Sequence, residues 1–207
     1  MALIPGALAS FTNPRAGAVP TLISFQYNPT QVTRVFRAEA PGTTPGKAPA
    51  GGARSAVWPP PEEYSLTLEF DATDGLERGG PVTETFGISP RLAALEMLMQ
   101  PVGTSLLGGL IGRRCAAIPA GKLPLTLFVW GPWRIAPVKL NSLTIRETAF
   151  DELLNPIHAA ADLGFSVLAP DDPDQGDLLA RAAARYYQGA RESRAILSLE
   201  QIAELGR

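Results

Sequence analysis

Residues Glu63 to Asp71 alternate without a fault. Tyr64, Leu66, Leu68 and Phe70 interleave with Ser65, Thr67, Glu69 and Asp71. A period of two sends one set to a buried sheet face and the other to water or to a subunit. This strand sets the fold class, because such a face needs further strands beside it and something apolar above it. Glycine and proline number 20 each in 207 residues, which excludes an all-helical bundle and favours short strands separated by loops.

Other segments read as partners for that strand. Leu22 to Tyr27 is a short strand closed by the Asn28-Pro29 turn signal, and Gln31 to Ala38 is a second strand or amphipathic piece. Leu123 to Trp130 is a strand ended by Gly131-Pro132. Trp133 to Thr148 reads as two strands with a break near Pro137 or Asn141, Phe150 to Asp162 as a loop carrying His158, and Gly164 to Leu168 as the last strand. Ser89-Pro90 predicts a helix of about ten residues, with Ser89 as cap, Pro90 at its first position and Leu92, Leu95, Leu98 and Met99 as its apolar stripe. Six or seven locally connected strands around one helix predict a mainly β, antiparallel β-barrel or strongly curved sheet. The expected core face is Phe25, Tyr27, Leu66, Leu68, Phe70, Leu92, Leu95, Leu127, Val129 and Ile145.

The expected organisation is an N-terminal leader over 1–20, a β domain over 21–170 and a helical C-terminal extension over 171–207. Within the domain, residues 40–61 form a Gly/Pro-rich excursion. The extension reads as an acidic turn, a helix over Leu178 to Tyr187 with Asp177 as its cap, and a short helix over Ser198 to Leu205. Met1 to Ser10 lacks a basic n-region and contains Pro5 and Gly6, so no signal peptide is expected. The uncharged stretch from Met97 to Gly112 is 16 residues with a proline and four glycines, too short and too broken for a membrane helix. The expectation is a protein that stays cytoplasmic on synthesis, with no direct membrane insertion.

Catalysis finds little to work with. Cys115 and His158 are the sole cysteine and histidine, so zinc held by such ligands is not expected. Both read as ordinary loop residues. The glycines of Gly103 to Gly112 lead to no Gly-Lys-Ser/Thr, so no phosphate loop forms. Asp171, Asp172, Asp174 and Asp177 make an acidic turn, but position 12 of a calcium loop counted from Asp171 is Ala182. A net charge of -2 and the absence of Lys/Arg among the aromatic residues argue against nucleic acid. No cofactor, metal or catalytic residue is expected, and the chain is read as a non-enzyme.

The order of motifs resembles a known family. Ile23-Ser-Phe-Gln-Tyr-Asn-Pro29 is similar to the opening of tube-type proteins of contractile injection systems, the phage-tail-like particles of bacteria. Tail-tube initiators and the N-terminal domains of LysM-bearing adaptors at the baseplate hub share it. The strand Leu66 to Asp71, a Leu-rich helix, Leu127-Phe-Val-Trp-Gly131, and the segments Val138 to Ile145 and Thr148 to Phe150 follow in the family's order, covering residues 20 to 168. The resemblance implies a tail-tube-like barrel with one packed helix. It also implies a structural subunit in a six-fold ring that joins the baseplate hub or spike to the inner tube, with sheath as a further candidate neighbour. Interface candidates are Val57 and Trp58 in the excursion, Phe128 and Trp130 on the second apolar face of their strand, Trp133, and Tyr186-Tyr187 in the tail. The alternative is a non-catalytic small-molecule or sugar-binding module stacking its ligand on Trp58, Trp130 and Trp133.

Overall fold

The computed structural model describes residues 4–12, 19–38, 59–101, 122–170 and 177–205, with backbone only over 199–205. Seven strands form one sheet: β1 (Ala7–Phe11), β2 (Thr21–Ser24), β3 (Val32–Phe36), β4 (Glu62–Asp71), β5 (Leu125–Val129), β6 (Ile135–Phe150) and β7 (Pro156–Val167). Their spatial order is β2-β1-β5-β6-β7-β4-β3, and every neighbouring pair is antiparallel. The helices are α1 (Thr73–Glu77), α2 (Pro81–Phe86), α3 (Ser89–Glu96) and the long α4 (Leu178–Leu205). A 3-10 turn over Met97–Met99 extends α3.

The sheet curls hard. β4 and β5 lie three strand spacings apart, about 14 Å on a flat sheet, yet the rings of Tyr64 and Phe128 are 5.3 Å apart. Ala136, Ala159 and Ala161 are wholly buried and put small side chains where the concave face has least room. Ile88, Leu92, Leu95 and Leu98 close one end of that face, and Tyr187 of α4 joins the same core.

Curling stops short of closure, and the expected tail-tube-like barrel is thereby corrected. The sheet is open, with β2 and β3 as its edges, and the fold is mixed α/β. Two observations account for the gap. After Ser24 the chain dives inward: Phe25 is buried in the core. Gln26 hydrogen-bonds both backbone groups of Asp71 and accepts from Arg91, and Asn28 pins Gly6 and Ile4. At the other end, α4 lies over the concave face, packed on β6, with Tyr187 in the core and Arg191 over the Phe36 ring.

Several expectations change with the packing. Ala7–Phe11, assigned to the leader, is an interior strand between β2 and β5, with Leu8 fully buried. Asp74-Gly75 and Gly79-Gly80-Pro81 are loop signals in the sequence, yet the first pair lies within α1 and Pro81 opens α2. Pro81 starts α2 without needing its missing N–H. Ser89 is not a cap but the first residue of α3, and Ile88 takes the cap position with no side-chain bond. Trp133 to Thr148 gives one strand rather than two; Pro137 is accommodated, and the break appears as a bulge at Asn141, between Leu140 and Ser142. His158 sits in β7, not in a loop. The tail forms one continuous helix, as no proline interrupts it, and the Asp177 carbonyl accepts from the Arg181 N–H as a cap residue does.

The core face differs at three places. Phe25, Leu66, Leu68, Phe70, Leu92 and Leu95 are buried, whereas Tyr27 is 45% exposed. On β5 the faces are swapped: Leu127 and Val129 are half-buried, and Phe128 is fully buried. Phe128 is in register with Leu8 on one side and Ala136 on the other, and its ring meets Phe25, Tyr64, Trp130 and Phe165. Ile145 is partly buried against the core.

Candidate assembly interface

Glu62 is the one acid buried among the described residues, and it organises one end of the molecule. It opens β4 opposite Phe36. Its carboxylate accepts from Arg34 at 2.6 Å and, on its other oxygen, from Arg191 of α4. The Tyr187 hydroxyl donates to it at 2.8 Å and stands 2.6 Å from the Tyr64 hydroxyl. Both guanidiniums flank the Phe36 ring, at 5.0 and 5.1 Å. Burial opposes the charge on Arg34, but its bond to Glu62 and the surrounding oxygens outweigh that, so its pKa is raised. Desolvation, together with the bond to Tyr187, pushes the Tyr64 hydroxyl far above an ordinary tyrosine. The cluster ties α4 to the β3–β4 edge, and Ala180, Ala184 and Ala190 let the helix approach closely.

The aromatic candidates separate. Val57 and Trp58 lie outside the described residues, as does Cys115. Phe128 and Tyr187 belong to the chain's own core and are corrected from interface to interior. Trp130 is half-buried, stacked at 5.9 Å on Phe128 and close against Gly6. Trp133 is 63% exposed in the turn between β5 and β6. Tyr186 donates to the Pro132 carbonyl at 2.8 Å, which brings an exposed ring of α4 beside that turn. Trp133 and Tyr186 are therefore the two candidates that share one accessible surface.

Sequence reasoning missed the tip of the β6–β7 hairpin. Leu153 and Leu154 are 78% and 79% exposed there, and Phe150 is half-exposed below them. One Oδ1 of Asp151 accepts from the N–H groups of Leu153 and Asn155, both at 2.8 Å, and its Oδ2 accepts from the Asn155 side chain. That last bond, chiefly, holds the Asp151 carboxyl below its ordinary pKa. Leu154 has a φ of 64°, in the region that favours glycine. A hydrogen-bonded loop thus holds an apolar pair outward at some conformational cost. The signal was legible in Asp151-x-Leu153-Leu154-Asn155, since an Asp followed by Asn marks a turn that has no structural need of leucines.

The convex face of the sheet is polar. Asp162 accepts from Thr67 at 2.6 Å and pairs with Arg146 at 2.7 Å, which together lower its pKa, Thr67 first. A groove of about 440 Å³ there is lined by Thr30, Gln31, Ser65, Thr67 and Asp162. His158 meets the Thr148 hydroxyl at 2.8 Å through Nδ1. Among the described residues no group of three His, Cys, Asp or Glu side chains is placed to hold a metal ion, and no helix is long and apolar enough to cross a membrane. No protein-family model matches the chain, and comparison with curated proteins gives no match either. The contractile-particle terms therefore rest on motif order alone.

Proposed function

We propose that this chain is a structural subunit, without catalysis of its own, of a contractile injection system or contractile phage tail. In this reading it forms a six-fold ring between the baseplate hub or spike and the inner tube. The observation that carries the assembly reading is the pair of open sheet edges. β2 and β3 each pair on one side only and expose Leu22, and Val35 with Phe36. Unpaired edges that also carry apolar side chains are a self-association hazard unless a neighbour covers them. The kind of particle is proposed from the resemblance of the motif Ile23 to Pro29, whose Phe25 is buried in the core while Gln26 bonds Asp71 and Asn28 bonds Gly6 and Ile4.

The sugar-binding alternative gains nothing comparable. Trp130 is committed to the core and Trp133 stands on an exposed turn. Sedimentation and negative-stain electron microscopy of the purified chain test the proposal. Six-fold rings, or rings appearing on co-expression with the neighbouring genes' products, support it. A monomer at the highest concentration reached, in the presence of those products, refutes it.

A further inference from the structure

The hairpin tip and the β3 edge lie at opposite ends of the molecule. Phe36 pairs with Glu62 at one end of β4, and His158 pairs with Asp71 at the other. Nine strand residues separate those positions, about 30 Å. Neither end can reach the other within one chain.

Their chemistry is complementary. The tip carries Leu153 and Leu154 with Asp151 and Glu152, and no lysine or arginine occurs from Glu147 to Ala159. The β3 end exposes Phe36 on the sheet face that carries Glu62 and Val35 on the opposite face, beside Glu63. On the Phe36 face Arg34 and Arg191 share the single carboxylate of Glu62, a surplus of one positive charge, while on the Val35 face Arg37 is balanced by Glu63. Among the described residues the Nε of Arg191 is buried without a hydrogen-bond partner. Arg37 is paired with Glu63 at 3.0 Å but is 60% exposed, which leaves it accessible to a second acid.

We propose that the acidic leucine tip of one copy docks on the basic-rimmed Val35–Phe36 edge of a second copy, joining copies end to end along the strand direction. The contact is heterologous, since tip and edge are different surfaces, so it propagates into a stack instead of stopping at a dimer. The apolar pair supplies the attraction and the charges set the orientation. This deepens the assembly reading above and rests on it for the existence of neighbouring copies.

The test uses the full chain in a Cys115→Ser background, where engineered thiols are the only ones. Val35→Cys and Leu154→Cys proteins are mixed and treated with a short bifunctional maleimide. A covalent dimer is expected from the mixture and not from either variant alone. In sedimentation, Leu153→Asp with Leu154→Asp is expected to weaken self-association about tenfold or more, with an unchanged circular dichroism spectrum. Arg37→Glu is expected to weaken it also, and Glu152→Arg supplied on the mixing partner to restore it. Ring formation that persists with no cross-link and no effect of the leucine variants overturns the docking while leaving the subunit reading intact. Open end-to-end chains that cross-link but never form rings uphold the docking and refute the ring. Loss of incorporation into a particle without any self cross-link shows a different protein at the tip and overturns the proposal.

Discussion

Replacing Phe128 by alanine separates the observed face of β5 from the opposite one. The ring is fully buried and contacts four other aromatic rings at centroid distances of 5.3 to 6.4 Å. Truncating such a residue costs about 3–5 kcal/mol, the upper half applying where the cavity cannot collapse. Here the walls come from four neighbouring strands, β1, β4, β6 and β7, with Phe25 and Trp130, and resist collapse, so about 4 kcal/mol is expected. For a chain of this size that lowers Tm by about 8–16 °C. Leu127→Ala, on the half-buried face of the same strand, should cost below about 1.5 kcal/mol. Urea unfolding followed by tryptophan fluorescence and by far-UV circular dichroism measures both on one scale. The reasoning fails if Leu127→Ala costs as much as Phe128→Ala, or if the Phe128 variant loses less than about 1.5 kcal/mol.

Glu62→Ala leaves Arg34 and Arg191 facing each other beside Phe36, and its cost of about 3 kcal/mol should fall mainly on α4. Hydrogen exchange is expected to speed up over 178–198 while β5–β7 stay protected. Gly87→Ala should destabilise by at least about 2 kcal/mol in thermal melts, because Gly87 has a φ of 58° and an added Cβ would collide with the Pro156 carbonyl. Tyr64→Phe should flatten the alkaline limb of the stability curve. The Tyr64 pKa is raised in the folded chain, so its contribution is whole below the unfolded value of about 10 and is lost as pH climbs above it. A wild-type curve no steeper than that of the variant between roughly pH 10 and 12 would refute this.

The amino-acid sequence by itself determined those elements whose pattern one face explains. The β4 alternation and the Leu92–Leu95–Leu98 stripe follow from periodicity, and both are buried as expected. β5 was undetermined because Leu125, Leu127, Phe128 and Val129 make both its faces apolar. Only the neighbouring Leu8 and Ala136 decide that Phe128 points inward. Ala7–Phe11 is too short and too unpatterned to declare itself a strand, and it becomes one because β2 and β5 satisfy its backbone on both sides. Local sequence likewise cannot say whether a curved sheet closes. That depended on where Phe25 and Tyr187 came to rest, two side chains from distant segments that join the core of the concave face. The hairpin tip follows the same logic in reverse. Asp151 and Asn155 mark the turn in the sequence, but the exposure of Leu153 and Leu154 is a property of where the whole sheet leaves that turn: beyond its last strand pair, with no core within reach.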